Sequence, residues 1–173
     1  MPNLELSQHM QFKPQAQGSG SGAPEFTFIL VKLASRCNIA CTYCYWFRDD
    51  EVYKKPAVLT IEAEDAFCQK LEEHIVQHNL PTFMVVFHGG EPLLFPKKRF
   101  AALQEKLNGI EQRTGAMIER GVSTNGVLVD EEYAALLAKY NVNASVSIDG
   151  PPEIHDKYLS LIHISEPTRP ERI

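Results

Sequence analysis

Three cysteines, Cys37, Cys41 and Cys44, fall within the eight-residue stretch Cys37-Asn38-Ile39-Ala40-Cys41-Thr42-Tyr43-Cys44. A loop this tight can turn three sulfurs toward one object a few ångströms across. Iron–sulfur clusters are held by cysteine thiolates, which makes a cluster the natural object. A cubane has four irons, and three ligands leave one of them open for chemistry. Taken alone, the loop also fits a zinc site short of its fourth ligand, or a simple electron-transfer cluster. The lone fourth cysteine, Cys68, falls in a helical pattern and reads as a small buried apolar residue.

The rest of the chain must position that loop. Its 173 residues are 44% hydrophobic and 23% charged, the composition of one ordinary globular domain. A net charge of -5 gives no electrostatic reason to expect nucleic acid or an anionic membrane as partner. No apolar run approaches the ~20 residues of a membrane span, and no basic-then-apolar leader opens the chain. The cysteines are too close in sequence for a disulfide framework, so they suit a reducing cytoplasm.

Residues 1–25 are rich in Gln, Gly, Ser and Pro and read as a flexible leader. Phe26 to Leu33 is short, apolar and β-branched, a first strand that runs almost directly into the cysteines. The charged stretch up to Lys55 reads as loop. Thr60 is placed to cap a helix over Ile61 to His78, with Phe67, Leu71 and Ile75 inward. Thr82 to Phe87 reads as a second strand buried on both faces. A helix from about Pro96 carries Phe100, Leu103, Leu107 and Ile110 on one side and stops at Gly115. Ala116 to Val122 is a third strand. Asp130 caps a further helix with Leu136, Leu137 and Tyr140 inward, and Asn143 to Ile148 is a fourth strand.

This alternation predicts an α/β fold with parallel strands and right-handed crossovers. Each polar motif stands at the end of a strand. The cysteines follow the first, Gly89-Gly90-Glu91-Pro92 the second, Ser123-Thr124-Asn125-Gly126 the third and Asp149-Gly150 the fourth. Singly, the last three are ordinary turn compositions. Together they lie where parallel α/β barrels gather their active sites.

In this arrangement Cys-x3-Cys-x2-Cys, with Tyr43 just before the last cysteine, resembles the radical S-adenosylmethionine (radical SAM) superfamily. The resemblance covers about Phe26 to Tyr158 and implies a partial (βα)6 TIM-like barrel, here truncated after about four βα units. It implies a 4Fe-4S cluster on Cys37, Cys41 and Cys44, with S-adenosyl-L-methionine chelating the open iron. One electron from the cluster would cleave the cofactor to a 5′-deoxyadenosyl radical that abstracts a substrate hydrogen. By the same resemblance Gly89, Gly90 and Glu91 bind the cofactor's amino group, and Tyr43 lies near its adenine. Ser123 and Asn125 line its pocket, and Ser147 meets its carboxylate. Ala34-Ser35-Arg36, Tyr45-Trp46 and Gly-Gly-Glu-Pro-Leu-Leu most resemble the branch of anaerobic sulfatase maturases and peptide maturases. That branch implies a peptide or protein substrate and an electron donor such as flavodoxin or ferredoxin. The alternative from another class is an iron–sulfur electron carrier or metal-binding module without catalysis. His155 and Asp156 read as solvated loop residues.

After Ile154-His155-Asp156-Lys157-Tyr158 the family pattern calls for an arginine that pairs with the cofactor's carboxylate, and this sequence has Leu159. The stretch Leu159 to Arg169 resembles the in-frame translation of a transposon-type sequencing adapter. Residues 26–158 are therefore read as an incomplete core domain and residues 159–173 as an adapter-derived tail. Resequencing the source locus is expected to give an arginine codon after Tyr158 and a longer frame. Genomic continuity through Arg169 would overturn this.

Overall fold

The computed structural model describes residues 24–41, 43–44, 51–148 and 150–151. Residues 1–23 of the leader, Tyr45–Trp46, Asp149, His155–Asp156 and the tail from Leu159 lie outside the described residues. Four strands, β1 (Phe28–Ala34), β2 (Thr82–Gly89), β3 (Met117–Thr124) and β4 (Val142–Val146), form one sheet in that order. Every neighbouring pair is parallel. The crossovers carry α2 (Ile61–His78), α3 (Lys97–Thr114) and α4 (Glu131–Lys139). This is the expected α/β succession in barrel order.

The helix limits follow from their caps. The Thr60 side chain accepts from the Ala63 N–H and opens α2, and Asn79 closes it in the left-handed region. Gly115, at φ 75°, closes α3, and Asp130 accepts from the Tyr133 N–H to open α4. All four expected inward residues of α3 are buried. On α2, Leu71 and Ile75 are buried while Phe67 packs at the core margin. On α4, Leu137 and Tyr140 are buried and Leu136 is marginal.

Two expectations are corrected. The stretch before Lys55 is not all loop, since α1 (Glu51–Lys54) is one helical turn. Nor is β2 buried on both faces. Phe83, Val85 and Phe87 are buried, whereas Met84 is 41% exposed. The core lies between the helices and one sheet face, so only alternate strand residues enter it. The opposite face carries Leu30, Val86 and Gly121 in one register row and Lys32 with His88 in the next. Among the described residues, no helix is long and apolar enough to cross a membrane.

Glu64 on α2 is buried, which its charge did not predict. Its carboxylate accepts from Arg99 Nη2 and Lys106 Nζ of α3, both at 2.9 Å. The Arg99 group also donates to the Leu59 carbonyl. One buried acceptor thus ties α2 to α3 and to the segment preceding α2. Replacing it leaves two cations that can partly turn to water, so the loss falls below that of a fully buried pair. Glu64→Ala is expected to destabilise the full chain by about 2 kcal/mol in chemical denaturation. A change under about 0.5 kcal/mol would mean that the two cations are held by other groups.

Candidate functional site

The cysteine loop leaves β1 at Ser35 and returns alongside it. Val58 bridges Ala34 in antiparallel fashion. The Ser35 N–H donates to the Ala57 carbonyl (2.9 Å) and the Leu59 N–H to the Leu33 carbonyl (2.8 Å). Ser35 Oγ donates to the Pro56 carbonyl. Arg36 secures the returning segment. Its guanidinium donates to the carbonyls of Val52, Tyr53 and Lys55 at 2.9, 2.8 and 3.2 Å and stands over the Tyr53 ring. A planar five-donor cation suits several carbonyls gathered at the end of a one-turn helix.

Inside the loop, the Cys44 N–H donates to the Cys41 carbonyl (3.2 Å), which bends Cys41 toward Cys44 through Tyr43. Tyr43 is 48% exposed. None of Cys37, Cys41, Cys44 or Cys68 is in a disulfide, and the three loop cysteines are half-buried. Burial pushes the Cys37 thiol above its ordinary range. A bond to the Ile39 backbone opposes this, the Glu91 charge adds to it, and the Asn125 side chain again opposes it. Cys68 packs at the core margin, and burial raises its thiol to about 11. It behaves as the small apolar residue its position suggested.

The end of β2 grips the base of the loop. The Gly90 N–H donates to the Ala34 carbonyl (2.9 Å) and the Glu91 N–H to the Arg36 carbonyl (2.7 Å). Both glycines are required by this approach. A Cβ at Gly89, where φ is 145°, would lie 2.2 Å from the Ala34 oxygen, and one at Gly90 would lie 2.3 Å from the Arg36 oxygen. The missing side chains thus make room for the chain itself.

Glu91 is fully buried. Oε1 accepts from the Leu93 N–H (2.9 Å) and Thr124 Oγ1 (2.7 Å), and Oε2 accepts from the Asn125 N–H (2.9 Å). Three donors inside the protein therefore engage a carboxylate that sequence resemblance assigns to the cofactor's amino group. Thr124 then continues outward. Its Oγ1 also accepts from the Gly126 N–H (3.0 Å), and its carbonyl accepts from the Ser147 N–H beyond β4 (2.9 Å). Asn125 reaches back to the loop, donating from Nδ2 to Asn38 Oδ1 (2.8 Å) and to Cys37 Sγ (3.7 Å).

The four strand ends are thus joined in one line of hydrogen bonds that includes Cys37, Gly90, Glu91, Asn125 and Ser147. Ser123 stands beside it on the open face, in register with Ser145. Sequence reasoning passed over Arg36, Asn38 and Thr124 in this role. For Thr124 a signal existed. Strand alternation sends Ser123 to the open face and Thr124 to the buried one, toward Glu91. Among the described residues no three His, Cys, Asp or Glu side chains are grouped to hold a single metal ion. A cubane places its thiolate ligands on separate irons and does not need such convergence. Reduced, half-buried thiols with N–H donors on one sulfur fit that group.

Gly90→Ala is expected to push the Arg36 carbonyl, and with it Cys37, out of place. Iron and sulfide retained after anaerobic reconstitution of the full chain should fall at least about tenfold. Retention equal to the parent would show that the loop base tolerates the displacement.

The family model described as "Radical SAM superfamily" matches residues 31–170. The serine-type anaerobic sulfatase-maturating enzyme of Bacteroides thetaiotaomicron is 33% identical over 137 residues, which are 76% of this chain and 31% of the relative. The radical SAM cyclopropyl synthase TigE of Paramaledivibacter caminithermalis is 27% identical, over 73% of this chain and 28% of the relative. Among solved structures, native anSMEcpe with bound AdoMet and a Kp18Cys peptide superimposes with a TM-score of 0.65 at 27% identity. That match covers 76% of this chain and 34% of the other. The chain spans about a third of the length of the curated relatives it matches. The strand-end motifs, their junction and these matches agree, and the chain belongs to the radical SAM superfamily, whose cofactors are S-adenosyl-L-methionine and an iron–sulfur cluster.

Proposed function

We propose that this chain is the cluster- and cofactor-binding part of a radical SAM enzyme that modifies a peptide or protein. The observation that carries the reading is the junction of strand ends. Backbone bonds from Gly90 and Glu91 hold the root of the cysteine loop, and Asn125 reaches Cys37 from the next strand. In this reading Cys37, Cys41 and Cys44 hold the 4Fe-4S cluster. Gly89 and Gly90 bring bare backbone toward S-adenosyl-L-methionine, Ser123 and Ser147 offer hydroxyls from neighbouring strand ends, and Tyr43 offers an exposed ring. Glu91 and Asn125 belong to the same set. Their side chains serve it chiefly by holding β2, β3 and the loop together.

When bound, cluster and cofactor supply a 5′-deoxyadenosyl radical by reductive cleavage, with the electron coming from a donor such as flavodoxin or ferredoxin. The names of the relatives support a peptide substrate. Several are called sulfatase-maturating enzymes, and one solved relative carries a bound peptide. Three thiols serving as cluster ligands suit a reducing cytoplasm.

Anaerobic reconstitution of the full-length protein, of which these residues are the incomplete core, tests the reading. The reduced cluster's electron paramagnetic resonance signal is expected to change on adding S-adenosyl-L-methionine, and 5′-deoxyadenosine should accumulate. Cys41→Ala should abolish both. A cluster that assembles, ignores the cofactor and releases no 5′-deoxyadenosine would instead mark an electron carrier.

A further inference from the structure

We propose that Asn125 is a positioning residue for the first cluster ligand. Its side-chain amide donates to Cys37 Sγ and Asn38 Oδ1, so the end of β3 helps set both the place of that sulfur and the ease with which the cluster accepts an electron. The inference rests on the radical SAM reading and goes beyond it. It moves Asn125 from the cofactor pocket to the surroundings of the cluster.

The geometry leaves Asn125 little freedom. Its backbone N–H is held by Glu91 Oε2 at 2.9 Å, and that carboxylate is itself buried and engaged by Thr124 and Leu93. Its Oδ1 accepts from the Val127 N–H at 3.0 Å. Only a carbonyl oxygen can accept there, so the NH2 group must point the other way, toward the loop. There it meets Asn38 Oδ1 at 2.8 Å and Cys37 Sγ at 3.7 Å. Asn38 Oδ1 accepts only, and so does a cluster-bound thiolate. Both neighbours therefore call for a donor, and an amide is the short side chain that supplies two N–H groups from one atom.

An N–H aimed at a cluster sulfur draws charge from it. Hydrogen bonds to the sulfurs are among the determinants of cluster potential. The reduced cluster carries the extra negative charge, so the donor stabilises the reduced form and raises the midpoint potential. Partners outside the ligand set also fix ligand orientation. Asn125 does both from the neighbouring strand end, and Glu91 keeps its backbone in place.

The test is a redox titration of the reconstituted full chain, followed by electron paramagnetic resonance. Asn125→Ala removes the donor, and Asn125→Asp replaces it with a charged acceptor of the same size. With iron and sulfide content equal to the parent, midpoint potentials are expected to fall in the order parent, Ala, Asp. A purely structural role would lower cluster retention without ordering the potentials by charge. Equal potentials in the three proteins would overturn the inference.

Should either variant fail to fold, the parent alone suffices. With 15N-asparagine incorporated, the reduced cluster should show a weakly coupled side-chain nitrogen in pulsed resonance spectra, and its absence would overturn the inference. A parent that assembles no cluster at all would overturn the radical SAM reading and this inference together. An assembled, cofactor-responsive cluster that is indifferent to Asn125 would overturn this inference alone.

Discussion

The carboxylate of Glu91 is the point on which the polar end of this sheet depends. It is fully buried and held by three donors, Leu93 N–H, Thr124 Oγ1 and Asn125 N–H, drawn from the turn after β2 and the end of β3. Charge-assisted hydrogen bonds of this kind contribute about 1.5–3 kcal/mol each. A buried carboxylate robbed of its donors is correspondingly unfavourable. The end of β3 is thus obliged to meet the end of β2. Because the Glu91 backbone also donates to Arg36, the root of the cysteine loop is drawn to the same place. Three strand ends are registered by one side chain and its own peptide group.

The glycines make this possible on steric grounds. Gly89 and Gly90 lie so close to Ala34 and Arg36 that a single Cβ would stand within 2.3 Å of a carbonyl oxygen. The parallel register of β1 and β2 slips at this point, between Lys32 and Ala34, where strand pairing gives way to the loop. The Gly-Gly-Glu sequence therefore has a folding reason that precedes any ligand. Two residues without side chains allow the backbones to touch, and the third locks the contact to the next strand.

Much of the architecture was legible in the residues. The limits of α2 came from Thr60 and the 3.6-residue recurrence of its apolar positions, and Gly115 marked the end of α3. The motifs after β1, β2 and β3 meet at one end of the sheet, as their places in the sequence implied. What stayed hidden was whatever depended on which face a residue takes and which partner waits there. The burial of Glu64 could not be seen, because its cations, Arg99 and Lys106, are more than thirty residues away. Thr124 was overlooked beside Ser123, which faces the open side. The convergence of Leu93, Thr124 and Asn125 on Glu91 was hidden as well, since two of these partners stand at the end of the next strand, more than thirty residues away. The one-sided burial of β2 was missed because an unbroken apolar run looks the same whether both faces or one are covered. The turn at α1 was missed because four residues carry too little periodicity to announce a helix.

The hold of Arg36 on the carbonyls of Val52, Tyr53 and Lys55, with residues 57–59 laid back against β1, has a consequence for how this loop closes. Both ends of the excursion are anchored to the same strand, a few residues apart. The closure entropy of the excursion is therefore met by these anchors and not by the thiols. Cys37, Cys41 and Cys44 are thus presented from a loop whose base is tied before anything binds to them.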